Sequence, residues 1–169
     1  IGGSRIRAAA SAAPGRILAL GECEVPVSDR QAFVAAMRGL IPAGARAAAV
    51  SIAGVVDPAT RRIKVANLPC IDGEPLQDAL REALGLPVTV ANDADCFTLA
   101  EAMAGAGAGH ATVFGIILGT GIGGGLVIDG RLLTGAGGYA GEWGHGPILR
   151  AGMRVDGVEI PEMACGCGL

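Results

Sequence analysis

Aromatic residues make up only 3% of the 169-residue chain, so its core must be built from aliphatic side chains. Charged residues are also few, at 17%, and no basic run is present, which argues against a nucleic-acid surface in these residues. No apolar stretch reaches the roughly 20 residues that a membrane helix needs, and no signal peptide is visible. We therefore expect a cytoplasmic α/β protein with neither a nucleic-acid nor a membrane partner.

Cysteine is present, but not in the pattern of a disulfide framework. There are five cysteines, an odd number, and Cys165 and Cys167 form a Cys-x-Cys. This usage is more typical of a metal site in a reducing compartment. With His145 of the segment GEWGH, these cysteines supply three of the four ligands that structural zinc usually takes. The alternative is that the two cysteines are only small apolar fillers.

Glycine, in contrast, is abundant, with 29 residues against a usual share of roughly 7%. The segment GTGIGGG contains G-x-G-x-x-G at Gly119, Gly121 and Gly124, directly after a predicted strand. A dinucleotide-binding fold requires a helix after this pattern, whereas here a hairpin is predicted to follow. We interpret the segment as backbone N–H groups arranged for phosphate, with a plain glycine-rich turn as the alternative.

A second glycine turn, IGGSR, lies at Gly2 to Arg5. Its hydroxyl and its cation are suited to phosphate, Ser4 through a hydrogen bond and Arg5 through charge. Taken alone, the segment is better explained as an ordinary hairpin. Because GTGIGGG is a similar turn, the two together suggest two related halves, each with a glycine hairpin.

Strand and helix patterns alternate along the chain, which indicates an α/β fold. Ser28 is the N-cap candidate of the first helix, and Asp129-Gly130 is a favoured two-residue hairpin turn. The predicted strands cover 1–11, 15–27, 45–57 (buried, turning at Gly54), 61–67, 86–93 and 110–121 (buried), with a hairpin at 124–135. The predicted helices cover 28–41, 74–85 and 94–107, and the second has Pro75 near its start and Gly85 as its stop.

The segment VTVANDADCF places Asn92 and Asp93 between the end of a strand and the start of a helix. In open α/β sheets, ligands bind outside the carboxyl ends of the strands. A carboxylate there is held ionised by the helix N-terminus, and it could accept a hydroxyl proton during phosphoryl transfer. The alternative is simple capping of the helix by Asp93 or Asp95.

Seven segments in the same order resemble the ROK family of repressors, uncharacterised frames and sugar kinases. They are IGGSRI, SIAGVVDP, NLP with GEPL, VANDADCFTLAEA, LGTGIGGGLVIDGRLLTG, AGEWGH and CGCG. The resemblance implies an actin-like, hexokinase-type (ribonuclease H-like) fold with two lobes around a cleft, of which this chain represents a part. Residues 1–110 would form the N-terminal lobe with the catalytic aspartate. Residues 111–169 would begin the C-terminal lobe, with the sugar loop and a partial zinc motif.

The resemblance also implies a role for individual residues. Asp93 matches the catalytic base that deprotonates the sugar hydroxyl attacking ATP. The sugar-binding positions are Asn92, Asp93, Gly54, Glu142 and His145. The positions for the ATP phosphates are Gly2, Gly3, Ser4, Arg5, Thr120 and Gly121. The ligands of a structural zinc are His145, Cys165 and Cys167.

This chain departs from the family pattern in a few respects. Ser4 and Arg5 stand where threonine and lysine are more usual. An aspartate tied to Mg²⁺, a further zinc cysteine, a sugar-contacting glutamate and the adenosine site are expected outside these residues. We therefore expect the chain to be part of a longer protein, with a homodimer as a possible assembly.

The resemblance implies phosphorylation of a hexose or N-acetylhexosamine at its 6-hydroxyl by Mg-ATP. The segments NDADCFTLAEA, GEWGH and VDGVEIP are most similar to the bacterial N-acetylglucosamine kinases of the family, with glucokinases and fructokinases as close alternatives. A sugar-sensing transcriptional regulator, which would need a helix-turn-helix upstream, is another alternative. The last alternative is a zinc-stabilised binding module that catalyses no reaction.

Overall fold

The computed structural model describes residues 1–119 and 121–144, together with the backbone of 154–155 and 158–159. Strands and helices alternate in this part of the chain, so the predicted α/β class is confirmed. The strands are β1 (Arg5–Ala13), β2 (Arg16–Glu24), β3 (Ala48–Ile52), β4 (Val55–Val56), β5 (Ile63–Lys64), β6 (Val88–Asn92), β7 (Thr112–Leu118), β8 (Ile122–Ile128), β9 (Arg131–Leu132), β10 (Arg154–Val155) and β11 (Val158–Glu159). The helices are α1 (Arg30–Leu40), α2 (Leu76–Leu84) and α3 (Asp93–Ala104), with a 3₁₀ turn at Ala136–Gly138.

Strands β3 and β6 form a parallel pair in which Ile52 lies opposite Asn92. Such a pair needs a crossover connection, and here that connection includes α2, which packs against β6. The core around the pair is aliphatic, as the composition predicts, and Phe33 is its only aromatic member among the described residues. Its other members are Ile6, Val25, Met37, Val50, Ile52, Ile63, Val65, Leu68, Ile71, Leu76, Leu80, Val88 and Val90.

The helix boundaries follow local capping chemistry. Helix α2 begins after Pro75 and ends at Gly85, whose φ of 68° is the left-handed conformation common after helices, so this prediction is confirmed. The predicted N-cap of α1 is wrong by one residue. Asp29, not Ser28, has the extended backbone of a cap, and its carboxylate accepts a 3.0 Å hydrogen bond from Ala32 N. Within the described residues, no helix is long and apolar enough to cross a membrane.

Strands β7, β8 and β9 form an antiparallel sheet. The turn between β8 and β9 is confirmed at Asp129 and Gly130, whose φ values of 48° and 71° are those of a type I′ hairpin turn. Gly119 and Gly121 lie between β7 and β8, and the other three glycines of GTGIGGG lie within β8, so a strand stands where a dinucleotide-binding fold would have a helix.

Helix α3 packs on one face of this sheet, where two glycines let it come close. A Cβ at Gly125 would lie 2.7 Å from Thr98 Oγ1, and a Cβ at Gly115 would lie 2.8 Å from Thr98 Cβ. The prediction that β7 is a buried strand is wrong, because Phe114 and Leu118 are 50% and 73% exposed. In the described structure α3 covers one face of the strand, and these side chains point to the other.

The predicted boundary between lobes at residues 110 and 111 lies between α3 and β7. These two elements pack against each other across it. The division of the chain into two lobes stays a prediction.

Candidate functional site

The carboxyl ends of β3 and β6 bring Gly54 and Asn92 together. Asn92 is the last residue of β6, and its Nδ2 donates a 3.1 Å hydrogen bond to the carbonyl oxygen of Gly54. A Cβ at Gly54 would lie 2.9 Å from the carbonyl oxygen of Lys64, so packing alone explains this glycine. The site therefore lies where open α/β sheets bind ligands.

The side-chain amide of Asn92 makes four hydrogen bonds to other residues. Its Oδ1 caps α3 by accepting from Ala94 N at 2.8 Å and from Asp95 N at 3.1 Å. Its Nδ2 donates to Gly54 O and, at 3.2 Å, to Glu142 Oε1. A side-chain amide offers two donors and two lone pairs, so the protein uses its full capacity. The sequence offered Asp93 or Asp95 as the cap of this helix, whereas in the structure Asn92 is the cap.

The loop that carries Glu142 returns to the site because glycines let it pack closely. Gly138 has a φ of 83°, and a Cβ there would clash with the carbonyl oxygen of Val56. Gly141 has a φ of 91°, and a Cβ there would lie 2.9 Å from Gly125 Cα. These contacts place the loop against β4 and β8, and so hold Glu142 near the end of β6.

Trp143 fixes the same loop from the other side. Its ring meets that of Phe114 edge to face, with 6.1 Å between centroids. A Cβ at Gly124 would lie 2.6 Å from Trp143 Nε1, so β8 has a glycine where the indole packs. Within the described residues, this tryptophan therefore packs the loop against the sheet.

Asp93 is the first residue of α3 and is exposed. Its Oδ1 accepts a 3.0 Å hydrogen bond from Ala94 N, while the cap itself comes from Asn92. The positive end of the helix dipole lies next to this carboxylate. Asp93 is therefore an accessible anion beside the tethered Glu142.

Two neighbours of Asp93 on α3 are less accessible to water, since Asp95 is buried and Cys96 is half-buried. Asp95 is buried, and burial raises the pKa of its carboxyl to about 6, with further contributions from the negative charges of Glu142 and Asp93. Burial also raises the pKa of the Cys96 thiol, which keeps this cysteine neutral at physiological pH. The sequence offered Asp95 only as a cap. The signal for its burial is the spacing of Asp95 and Thr98 on one helix face, opposite a glycine-rich strand.

The two predicted phosphate turns have the expected backbone. Gly2 N donates to Arg5 O at 3.1 Å, which closes a two-residue turn ahead of β1. Between β7 and β8, Gly119 N donates to Gly121 O at 2.9 Å. Each glycine turn therefore leads directly into a strand.

Glycines in these turns differ from the packing glycines in one respect. A Cβ added at Gly2 or at Gly121 meets no described atom within 4 Å, and neither residue has a positive φ. At Gly3 a Cβ would make only an ordinary contact, 3.7 Å from Asn67 Cβ. Neither space nor backbone conformation in the described structure requires glycine at Gly2 or Gly121. The open space leaves room for a ligand to approach the backbone of these two residues.

Charged side chains surround the first turn. A hollow of about 390 Å³ is lined by Ile1, Gly2, Ser4, Arg5 and Arg7. The Arg5 guanidinium pairs with Glu22, and Arg7 Nε lies 3.1 Å from Glu22 Oε2. Exposed ion pairs of this type contribute about 1 kcal/mol or less, so Glu22 holds Arg5 only weakly. Arg7 and Glu22 were not predicted from the sequence, although the antiparallel pairing of β1 and β2 sets them opposite each other.

Several predicted site residues lie outside the described residues, namely Thr120, His145, Cys165 and Cys167. Within residues 1–119 and 121–144, no group of three or more His, Cys, Asp or Glu side chains is arranged to hold a metal ion. The predicted zinc ligands stay a prediction.

A polar site at the carboxyl ends of parallel strands, with glycine turns that leave room beside their backbone, is typical of α/β proteins that bind ligands. The particular family follows from comparison with known proteins. Over residues 1–169 the chain matches the ROK family, and it belongs to that family.

The relatives share both sequence and fold with this chain. The N-acetyl-D-glucosamine kinase of Pectobacterium carotovorum subsp. carotovorum (strain PC1) is 42% identical over 119 residues, which are 70% of this chain and 39% of that protein. The ROK family glucokinase from Streptomyces griseus, solved in complex with glucose and AMPPNP, superposes with a TM-score of 0.80 at 33% identity. That match covers 100% of this chain and 52% of the glucokinase.

A transcriptional regulator of the same family has the fold too. The regulator, a homologue of the E. coli MLC protein, superposes on this chain with a TM-score of 0.76 at 25% identity. The match covers 100% of this chain and 43% of the regulator. The chain thus spans about half or less of the length of the relatives that it matches. Its fold is part of the actin-like fold of ROK proteins, as the sequence predicts.

Proposed function

We propose that the protein containing this chain is an ATP-dependent sugar kinase that phosphorylates the 6-hydroxyl of an N-acetylhexosamine or hexose. The observation that carries the proposal is the exposed Asp93 carboxylate at the start of α3, beside a glutamate that Asn92 tethers. An accessible anion next to a hydrogen-bonding carboxylate suits a hydroxyl that must be both held and deprotonated.

In the proposed step, Asp93 accepts the proton of the sugar 6-hydroxyl while the sugar oxygen attacks the γ-phosphorus of ATP. A bond from this oxygen to phosphorus forms, the bond from phosphorus to the bridging oxygen breaks, and ADP leaves. Glu142 accepts a hydrogen bond from a second sugar hydroxyl and so fixes the ring. Gly54 takes part through its carbonyl oxygen, and Asn92 positions Glu142 and the start of α3. A direct hydrogen bond from Asn92 to the sugar replaces one of the four hydrogen bonds that the Asn92 side chain makes in the structure.

The glycine turns bind the ATP phosphates in this proposal. The free space beside Gly2 and Gly121 supports it, because a phosphate oxygen can approach the backbone there without meeting a described side chain. In the first turn, Ser4 donates a hydrogen bond and Arg5 supplies positive charge once Glu22 is displaced. Gly3 and Thr120 complete the predicted set.

Two metals belong to the proposal through the family resemblance. Mg²⁺ accompanies ATP and neutralises charge on the phosphates. No described group of side chains is arranged to hold a metal ion, so we derive no step through it. Zinc bound by His145, Cys165 and Cys167 would have a structural role, since an imidazole and two thiolates fit its preferences. Elemental analysis of the full-length protein tests this, and zinc well below one equivalent contradicts it.

N-acetylglucosamine is the favoured substrate because a named relative with that activity is 42% identical over 70% of the chain. Glucose is the main alternative, supported by the superposition on the S. griseus glucokinase. A coupled assay of ADP release by the full-length protein, with N-acetylglucosamine, glucose and fructose compared by kcat/KM, decides between them. Absence of sugar-dependent ADP release from all three would contradict the kinase proposal.

A sugar-sensing regulator is the second candidate, because a family regulator shares the fold over the whole chain. A regulator binds sugar and DNA without turnover. Sugar binding by calorimetry, combined with no ADP release and with sugar-dependent retardation of operator-like DNA, would favour this function over the kinase.

A further inference from the structure

The carboxylate of Glu22 bridges two arginines of β1. Its Oε1 accepts a hydrogen bond from Arg5 Nη1, and its Oε2 accepts a 3.1 Å hydrogen bond from Arg7 Nε. The strand pairing explains this contact, because Glu22 of β2 lies directly opposite Arg7 in the antiparallel register. One carboxylate thus has an oxygen on each guanidinium, so the two cations are placed to share a single anion.

The two arginines lie on the same face of β1 and on the wall of one hollow. Ile6 stands between them and is 2% exposed, so the alternation of the strand turns Arg5 and Arg7 away from the core. The hollow of about 390 Å³ beside the first glycine turn is lined by both arginines together with Ile1, Gly2 and Ser4. The glycine turn and both guanidinium groups therefore border the same space.

Arg7 has little structural reason to be there. Its side chain is 79% exposed, and among the described residues Glu22 is its only ion-pair partner. Such an exposed ion pair contributes about 1 kcal/mol or less to stability. A guanidinium is well suited to phosphate, because its N–H donors match two oxygens of the group at once. The position of Arg7 beside the turn is thus better explained by an anion than by the stability of the hairpin.

We propose that Arg7 is a second phosphate-binding cation of the donor site, and that Glu22 is a built-in counter-ion that occupies Arg5 and Arg7 until the phosphates of ATP replace it. A phosphate group, like a carboxylate, offers two oxygens that accept from two guanidinium groups. The inference rests on the proposed kinase function. It adds two residues to the phosphate site and states what holds the cations when no nucleotide is bound.

Arg7 and Glu22 should affect nucleotide binding in opposite directions. Loss of the Arg7 charge removes a partner of the phosphates, whereas loss of the Glu22 charge removes their competitor. A structural defect in the β1–β2 hairpin would weaken binding in both variants. The two signs therefore distinguish the proposed roles from simple damage to the fold.

The experiment measures the binding of Mg-AMPPNP, an ATP analogue, to the full-length protein by calorimetry. Arg7→Gln should raise the Kd roughly tenfold, as expected for one lost hydrogen bond to a charged group. Glu22→Gln should lower the Kd roughly twofold to fivefold, the range of an exposed ion pair. The Kd for adenosine, which has no phosphate, should stay the same in both variants.

Each role has a result that overturns it. An Arg7→Gln variant with the wild-type Kd for Mg-AMPPNP overturns the role of Arg7. A Glu22→Gln variant whose Kd equals or exceeds that of wild type overturns the role of Glu22. A change in the Kd for adenosine that matches the change for Mg-AMPPNP overturns the phosphate site, since the effect would then not depend on phosphate.

Two exposed residues supply matched controls. Glu24→Gln removes a carboxylate that lies opposite Arg5 but forms no ion pair among the described residues, so its Kd should stay near that of wild type. Arg16→Gln removes an arginine at the far end of the hairpin and should also leave the Kd unchanged. A wild type that binds no Mg-AMPPNP and phosphorylates no sugar removes the kinase function and this inference together. A wild type that binds the analogue, with test variants that match their controls, removes only this inference.

Discussion

Asn92 Nδ2 donates a 3.2 Å hydrogen bond to Glu142 Oε1, across 50 residues of sequence. The same side chain caps α3 through its Oδ1. One amide therefore holds the helix that presents Asp93 and the loop that presents Glu142. The relative position of the two carboxylates depends on a residue that the sequence alone offered only as a sugar contact.

Two substitutions of Asn92 separate its two tasks. Asn92→Ser keeps a good capping oxygen and loses the bond to Glu142, whereas Asn92→Ala loses both. We expect the alanine variant to be about 1 kcal/mol less stable than the serine variant in urea unfolding. Both should raise the KM for sugar roughly tenfold, as expected for one lost hydrogen bond to a charged group. Equal stability of the two variants would remove the capping role.

The proposed base is tested by Asp93→Asn. Because an amide cannot accept the hydroxyl proton, kcat should fall by roughly 10²- to 10⁴-fold. Sugar binding measured by calorimetry should persist, since the tether between Asn92 and Glu142 does not involve Asp93. Asp129→Asn serves as the control for a lost surface charge. Near-normal turnover in the Asp93 variant would refute the assignment.

Glycines of the phosphate turns and glycines of the packing contacts should respond differently to alanine. Gly121→Ala has room for its methyl group, so we expect unchanged thermal stability but a KM for ATP raised severalfold by loss of backbone approach. Gly125→Ala would force a methyl group against Thr98 and should lose about 1–3 kcal/mol of stability.

Gly39→Ala gives the matched control for the glycine pair. This residue lies within α1 with open space around it, so alanine should stabilise the helix by about 0.5–1 kcal/mol and leave kinetics unchanged. ATP kinetics of Gly121→Ala that match those of Gly39→Ala would argue against a phosphate at the β7–β8 turn.

Asp95 should also affect the pH dependence of folding. Its pKa rises from 3.8 to about 6 on folding, so the folded protein binds the proton more tightly than the unfolded chain. Stability from this group is fully present below about pH 4 and is lost as pH rises through about 6, a loss of up to about 3 kcal/mol. Asp95→Asn should therefore be more stable than wild type at pH 7 and alike at low pH. The free energy of unfolding is measured in urea from about pH 4 to about pH 7 for both proteins. Curves of this free energy against pH that run parallel for the two proteins would contradict the prediction.

Local rules predicted much of the fold. Gly85 as the stop of α2 and Asp129-Gly130 as a hairpin turn were predictable because each depends on one residue's backbone preference. The choice between Ser28 and Asp29 as a cap was not predictable, since both residue types cap helices equally well. The exposed face of β7 was missed because an apolar run does not reveal whether a second layer covers it.

The candidate site was predicted as a set of residues rather than as an arrangement. The segment NDAD indicated an acid at a strand end, yet the sequence could not say which polar group would cap the helix and which would stay accessible. That outcome depends on Glu142 and Gly54, which approach Asn92 from other elements. The burial of Asp95 depends likewise on Gly125, a residue on a strand that forms later in the chain.

Trp143 is the only tryptophan in these 169 residues, it follows Glu142 directly, and its ring packs on Phe114 and Gly124. A single indole fixed next to a ligand-holding side chain is an optical probe that needs no label. Any molecule that shifts the loop changes the environment of this chromophore, so the emission of the chain reports directly on occupancy of the site.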